Sequence, residues 1–299
     1  LTQPNTTNRL AYFALAATSL LWGTTWVAMK FGVSTLPPLE LASIRQFIGG
    51  SLFLGFFLLK GEAIPRKKQL VQLFVLSIFT FVLANGLSTW SLQYISSGLA
   101  ALIGALYPLC VVLIEHFYFK SKQLNLLSLV GIVLGIAGIT VVFYENAFAK
   151  HPEGYLFGIC LALIAMLSWS ISTIMISRQT VKINPYFGMG WQMFFSSFMI
   201  FGLSFIPGGH IPLMDIPAIS WAVIAYLIGA GSIFAIIAFI YTMKHLHPGV
   251  AALYAYINPI VAIVIGSIVL DEHISIQLII GSLITLFGVY LVNRNLKKS

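Results

Sequence analysis

Apolar residues run through this chain in long blocks separated by short clusters of charge, proline and glycine, without the strict apolar–polar alternation of a strand. The blocks predict ten spans, roughly 10–32, 38–59, 69–92, 97–119, 125–144, 154–177, 186–206, 217–243, 249–270 and 275–293. Most are about 20 residues long, the length at which an α-helix crosses the hydrocarbon core of a bilayer. In lipid every backbone polar group needs a partner within the protein, which helices supply locally. The predicted fold is therefore an all-α polytopic membrane protein with ten transmembrane helices. The longest connections, around 60–68, 145–153 and 207–216, are too short for a soluble domain. Any chemistry must sit within the bundle or at its mouths.

Two segments repeat. Ser97-Gly98-Leu99-Ala100-Ala101-Leu102, followed by Pro108, matches Pro248-Gly249-Val250-Ala251-Ala252-Leu253, followed by Pro259. Trp22 and Trp169, Pro38 and Pro185, and Arg45 and Gln192 are each 147 residues apart, while Gly131 and Gly138 recur 150 residues on as Gly281 and Gly288. We read a five-helix unit used twice, over 1–148 and 149–299. Five is odd, so the second copy begins on the opposite face of the membrane and the two are inverted. Inverted repeats are the geometric basis of alternating access to a site near the midplane, which points to transport.

Composition sharpens this picture. Of the 299 residues 59% are hydrophobic and only 8% charged, too few charges to cover a soluble fold of this size. The net charge of +8 comes from scattered basic residues rather than a stripe, so it argues for orientation in the membrane and not for a nucleic-acid partner. With the N-terminus cytoplasmic, that side receives Arg9, Lys60, Arg66, Lys67, Lys68, Lys120, Lys122, Arg178, Lys182, Lys244, Arg294, Lys297 and Lys298; the other keeps Lys150 and Lys30. Both termini are expected in the cytoplasm. The first apolar run lacks a small-residue cleavage signature and is expected to be a retained helix rather than a signal peptide. Cys110 and Cys160 fall inside apolar runs and read as packing residues. No nucleotide loop, metal-ligand spacing or nucleophile constellation is present, so neither an enzyme nor a cofactor is expected.

The candidate functional residues are the polar and aromatic ones within spans. Arg45 lies about two turns into span two, with Glu40 nearer the outer end. A charge at that depth costs a few kcal/mol, on the order of 3, unless paired or hydrated. It suits a substrate carboxylate, or a structural ion pair with Glu40, Asp271 or Glu272. Asn85 and Gln192 are polar groups in mid-span that bind ligand or staple helices. Trp22, Trp169, Tyr107, Tyr254 and Asn258 are candidates for a cavity lining, with ordinary packing as the other reading. Pro108 and Pro259 lie mid-span, where a missing donor kinks a helix and leaves the carbonyls of Gly104 and Ala255 without their usual partners. Glu115 and His116, near the inner end of span four, suit proton handling or a snorkelling pair at the membrane boundary. Gly131, Gly135 and Gly138 line one face of span five and let a neighbouring helix approach closely.

These residues together resemble the EamA family of the drug/metabolite transporter superfamily. The resemblance rests on Leu21-Trp22-Gly23-Thr24-Thr25-Trp26-Val27-Ala28-Met29-Lys30, Leu36-Pro37-Pro38 with Arg45, the repeated Gly-x-Ala-Ala-Leu with its proline, and Leu270-Asp271-Glu272-His273-Ile274-Ser275 leading to Gly281 and Gly288. It covers nearly the whole chain as two units of about 130 residues. It implies a ten-helix carrier of the bacterial inner membrane, often an exporter of amino acids or related metabolites. The family's acidic residue after the fourth helix of a unit corresponds to Glu272, whereas the first unit has Lys120-Ser121-Lys122 there. The family's basic residue in the second helix corresponds to Arg45, with Gln192 in its place in the second unit. The expected partners are a small-molecule substrate and the lipid bilayer. Facilitated diffusion and proton antiport both fit, and a multidrug efflux carrier or a non-transporting membrane scaffold are the other readings.

Overall fold

A computed structural model describes residues 6–120, 125–148, 153–178, 183–206, 210–246, 248–251 and 253–296. Ser121, Lys122, Lys150, Lys182, Ala252, Lys297 and Lys298, which enter the sequence argument, lie outside these residues. Among the described residues the chain is all helical, with no strand. The first five spans are α1 (Thr6–Gly32), α2 (Pro38–Leu59), α3 (Lys67–Ser91), α4 (Ser97–Phe117) and α5 (Leu126–Phe148). The second five are α6 (Tyr155–Ser177), α7 (Pro185–Ser204), α8 (Ala218–His245), α9 (Pro248–Ala251 and Tyr254–Val269) and α10 (Ile276–Leu296).

Seven of these are long and apolar enough to cross a membrane, and Tyr254–Val269 and Ile276–Val292 are shorter apolar helices. The remaining helix, α7, is 20 residues long and carries Gln192, Ser196 and Ser197 on its buried side. The second helix of each repeat starts on proline, Pro38 in α2 and Pro185 in α7. Proline suits a first helical position because its missing N–H would have no intrahelical partner there. Between the fourth and fifth helices of each repeat, Lys120 (φ 50°) and Asp271 (φ 53°) turn the chain through the left-handed region at positions 151 residues apart. Duplication is thus visible in the backbone as well as in the sequence.

Besides α9, already given as two pieces, three spans are interrupted among the described residues. The middle of α3 is π-helical over Ile78–Gly86, and the middle of α8 over Leu227–Phe234. In α4 the helix stops at Gly104 and resumes at Tyr107. Pro108 is therefore in the first turn of the resumed helix, where it disrupts no established ladder, whereas Pro259 lies inside Tyr254–Val269. The two repeated prolines occupy unlike positions.

Two compact units make up the chain. One comprises Leu1–Val27, Tyr94–Leu156 and Ala238–Ser299; the other comprises Ala28–Gln93 and Phe157–Ile237. Each draws helices from both sequence repeats. In the first, α5 packs on α10 and α4 on α9; in the second, α2 packs on α7. Equivalent helices of the two repeats are direct neighbours.

Their direction is readable from glycine contacts. A Cβ built on Gly131 would lie 2.6 Å from the carbonyl oxygen of Gly288, and one on Gly138 would lie 2.6 Å from that of Gly281. The lower number on α5 meets the higher on α10, so these helices are antiparallel, as inverted repeats require. In the second unit Phe47 lies beside Phe198, and Phe57 beside Phe187, giving the same antiparallel sense for α2 and α7.

Candidate functional site

The second unit contains a buried polar centre built on α2. Arg45 is 7% exposed, and its Nε donates to Ser232 Oγ at 3.0 Å while Nη1 donates to Met29 Sδ at 3.4 Å. Thr89 Oγ1 gives its proton to the Asn85 carbonyl at 2.8 Å and lies 3.5 Å from the same sulfur. A guanidinium offers five N–H groups in a planar fork. Nη2 has no acceptor among the described residues, and no carboxylate there lies within ion-pair distance of Arg45.

The next residue, Gln46, is fully buried, and its Nε2 donates to Asn85 Oδ1 at 2.8 Å. Its own Oε1 is buried with no partner among the described residues. Gln192, the repeat equivalent of Arg45, is also buried on α7, and among the described residues it makes only a long 3.4 Å bond to the carbonyl of Gly188, with its Oε1 unsatisfied. Orphaned polar atoms of this kind are costly in a stable apolar core and recur where a ligand or water completes the site. Trp169 is partly buried on α6, and its carbonyl accepts from Thr173 Oγ1 at 2.8 Å.

Glu40, beside this centre in sequence, turns elsewhere. It is 1% exposed and accepts from His210 Nδ1 at 3.0 Å and from the backbone N–H of Ile211 at 3.1 Å, tying down the connection between α7 and α8.

The first unit holds an aromatic cluster. The ring of Trp22 lies 5.0 Å from Phe239 and 5.3 Å from Tyr254, and Phe239 lies 5.3 Å from Tyr254. Tyr254 Oη donates to Tyr107 Oη at 3.0 Å. Centroid separations near 5 Å with tilted or edge-on rings are the favourable geometry for aromatic pairs. The Asn258 amide, oriented to satisfy both its ends, donates to the carbonyls of Ser19 (2.8 Å) and Tyr254 (3.1 Å), joining α9 to α1. Trp22, Tyr107, Tyr254 and Asn258 are thus brought into one neighbourhood.

Glu272 accepts from the Ser97 N–H at 2.8 Å and Ser97 Oγ at 2.7 Å, so its carboxylate sits at the N-terminus of α4. A carboxylate there satisfies otherwise unpaired N–H groups and complements the helix dipole. Gly266 makes the room: a Cβ on it would lie 2.6 Å from both Glu272 Oε2 and Ser97 Oγ. Glu115 is buried on α4, and the ring of neighbouring His116 packs 4.9 Å from that of Phe117.

Ser232, Met29, Thr89, Gln46 and Phe239 carry no site role in the sequence reading. A signal for Ser232 was present, since it stands 147 residues after Asn85, the offset that relates Arg45 to Gln192. The π turns have no composition that marks them.

Comparison with known proteins settles the family. The model of the EamA-like transporter family matches twice, over residues 9–144 and 156–294. The chain belongs to the EamA-like transporter family. It is 31% identical to the "Uncharacterized inner membrane transporter YedA" of Escherichia coli (strain K12) over 85% of this chain and 81% of that protein. It is 26% identical to the "Uncharacterized transporter YoaV" of Bacillus subtilis (strain 168), over 93% of this chain and 94% of its relative. A crystal structure with 19% sequence identity matches with a TM-score of 0.65, covering 96% of this chain and 98% of that one, and shares its fold. This EamA chain is accordingly a multi-pass membrane transporter, and its family implies a small-molecule cargo.

Proposed function

We propose that this chain exports amino acids or closely related small metabolites across the bacterial inner membrane by alternating access, with both termini in the cytoplasm. The observation that carries the reading is Arg45, a buried guanidinium with an unused Nη2 and no carboxylate partner among the described residues. Such a group favours an anion that arrives with two acceptor oxygens in one plane, and a carboxylate has that shape. Asn85 and Gln192 supply uncharged polar contacts in the same unit. Within the first unit, Trp22, Tyr107, Tyr254 and Asn258 form their own aromatic and amide surface, suited to contact with apolar cargo. Inversion of the five-helix repeats over 1–148 and 149–299 supplies two conformations related by pseudo-symmetry. Pro259 and the break before Pro108 are where α9 and α4 bend.

Counterflow in proteoliposomes against a panel of labelled amino acids tests this directly. Exchange of at least one amino acid, lost in Arg45→Ala, is the expected result. Exchange inhibited instead by chemically diverse organic cations and indifferent to Arg45 would replace this reading with drug efflux. No exchange of any amino acid would overturn it.

A further inference from the structure

The internal repeat picks out a residue that no motif marks. Asn85 and Ser232 stand 147 residues apart, and each lies in a π-helical stretch, Ile78–Gly86 in α3 and Leu227–Phe234 in α8. Neighbouring residues of α2 reach both: Gln46 bonds Asn85 and Arg45 bonds Ser232. A π turn carries one more residue than an α turn, which changes the direction of the side chains beyond it, and such turns are frequent at functional sites. Two of them at equivalent places, each presenting a polar group to adjacent positions of one helix, mark these bonds as built features of the unit.

We propose that Ser232 is a positioning residue that orients the Arg45 guanidinium towards a substrate carboxylate, an inference that rests on the function proposed above. Ser232 Oγ occupies the Nε edge at 3.0 Å, and Met29 Sδ takes one N–H of Nη1 at 3.4 Å. The guanidinium is held at two points, which leaves one N–H on Nη1 and both on Nη2 for a carboxylate. Two parallel N–H···O bonds need both nitrogens in the carboxylate plane, so the orientation set at Nε decides whether the second bond forms. A thioether is a weak acceptor and does not hold the fork alone. Ser232 therefore governs discrimination between a carboxylate and its neutral amide, without itself touching cargo.

The test uses the reconstituted full chain and the labelled amino acid with the strongest counterflow among the twenty, with unlabelled acid and its carboxamide as competitors. In the unsubstituted protein the acid should compete roughly tenfold or more better than the amide, the loss expected for a charge-assisted hydrogen bond. Ser232→Val should bring the ratio close to one by raising the KM for the acid with a smaller change in maximal rate. Ser232→Thr, isosteric with valine but retaining the hydroxyl, should restore the preference. Equal ratios for the threonine and valine variants would overturn the assignment of Ser232. If Arg45→Ala abolishes the preference while both Ser232 variants keep it, the positioning role alone falls. If no variant changes it, or no amino acid exchanges, the Arg45 reading falls too.

Discussion

Gly131 and Gly288 meet backbone to backbone: a Cβ on the first would lie 2.6 Å from the carbonyl oxygen of the second, and a Cβ on the second 2.5 Å from that of the first. Gly138 and Gly281 repeat the arrangement in mirror order, each within 2.6 Å of the other's carbonyl. The sequence repeat maps Gly131 onto Gly281 and Gly138 onto Gly288, so each contact is the pseudo-two-fold image of the other. Without a hydrophobic drive between helices in lipid, close approach and van der Waals contact hold such pairs together.

Gly288→Leu should force α5 and α10 apart, because the obstacle is backbone and cannot rotate away. The expected cost is about 1–3 kcal/mol or more, the range for overpacking a well-filled interior. Thermal unfolding of the detergent-solubilised protein should show a clear fall in Tm. Gly202→Leu serves as the control, since none of the described residues lies within 4 Å of a Cβ there.

Glu272 is expected to act on stability through α4. Glu272→Ala leaves Ser97 N–H and Oγ without their acceptor at a helix start, at a cost of roughly 1–3 kcal/mol. Glu272→Gln keeps an acceptor and should cost less. A melting comparison of the two variants checks the order, and equal losses would contradict the capping role.

How far the sequence anticipates this molecule depends on what kind of signal each feature leaves. Span two is predicted at 38–59 and found at Pro38–Leu59, because lipid demands an uninterrupted apolar run and Pro38 fixes its start. The glycines of α5 and α10 are legible because helical spacing puts them on one face. The division into compact units is not legible, since it depends on which helices pack in space and cuts across the repeats. The π stretches leave no compositional trace, being set by hydrogen-bond register, and with them Ser232 stays hidden until repeat offset and contact are combined. Arg45 is conspicuous as a charge in a span, but its bonding to Ser232 and Met29 follows from tertiary structure. Glu40 is conspicuous for the same reason and turns to His210 and Ile211.

The Glu40 contacts predict local behaviour of the connection between α7 and α8. Glu40→Ala should speed hydrogen exchange at the Ile211 amide, which loses its acceptor, and at the short 3-10 turn Leu213–Asp215 beyond it. His210→Ala should do so less, because its ring is 40% exposed and contributes one of two bonds. Unchanged exchange in Glu40→Ala would contradict the tether.

Gln46 and Asn85 should behave non-additively. Gln46→Leu strands the Asn85 carbonyl oxygen and Asn85→Leu strands the Gln46 amide, each costing about 1–3 kcal/mol. The double variant removes both partners and should cost less than the sum. Unfolding midpoints of the three variants complete the cycle, and strict additivity would mean that the bond contributes nothing.

Arg45 as the anchor for a substrate carboxylate is the central claim, and equilibrium binding tests it most directly. Binding of the strongest labelled amino acid from the counterflow panel would be measured on purified protein, unsubstituted and as Arg45→Gln, with matched melting curves. The account predicts an affinity loss of roughly tenfold or more in the variant. Equal affinity in two equally folded proteins would contradict it.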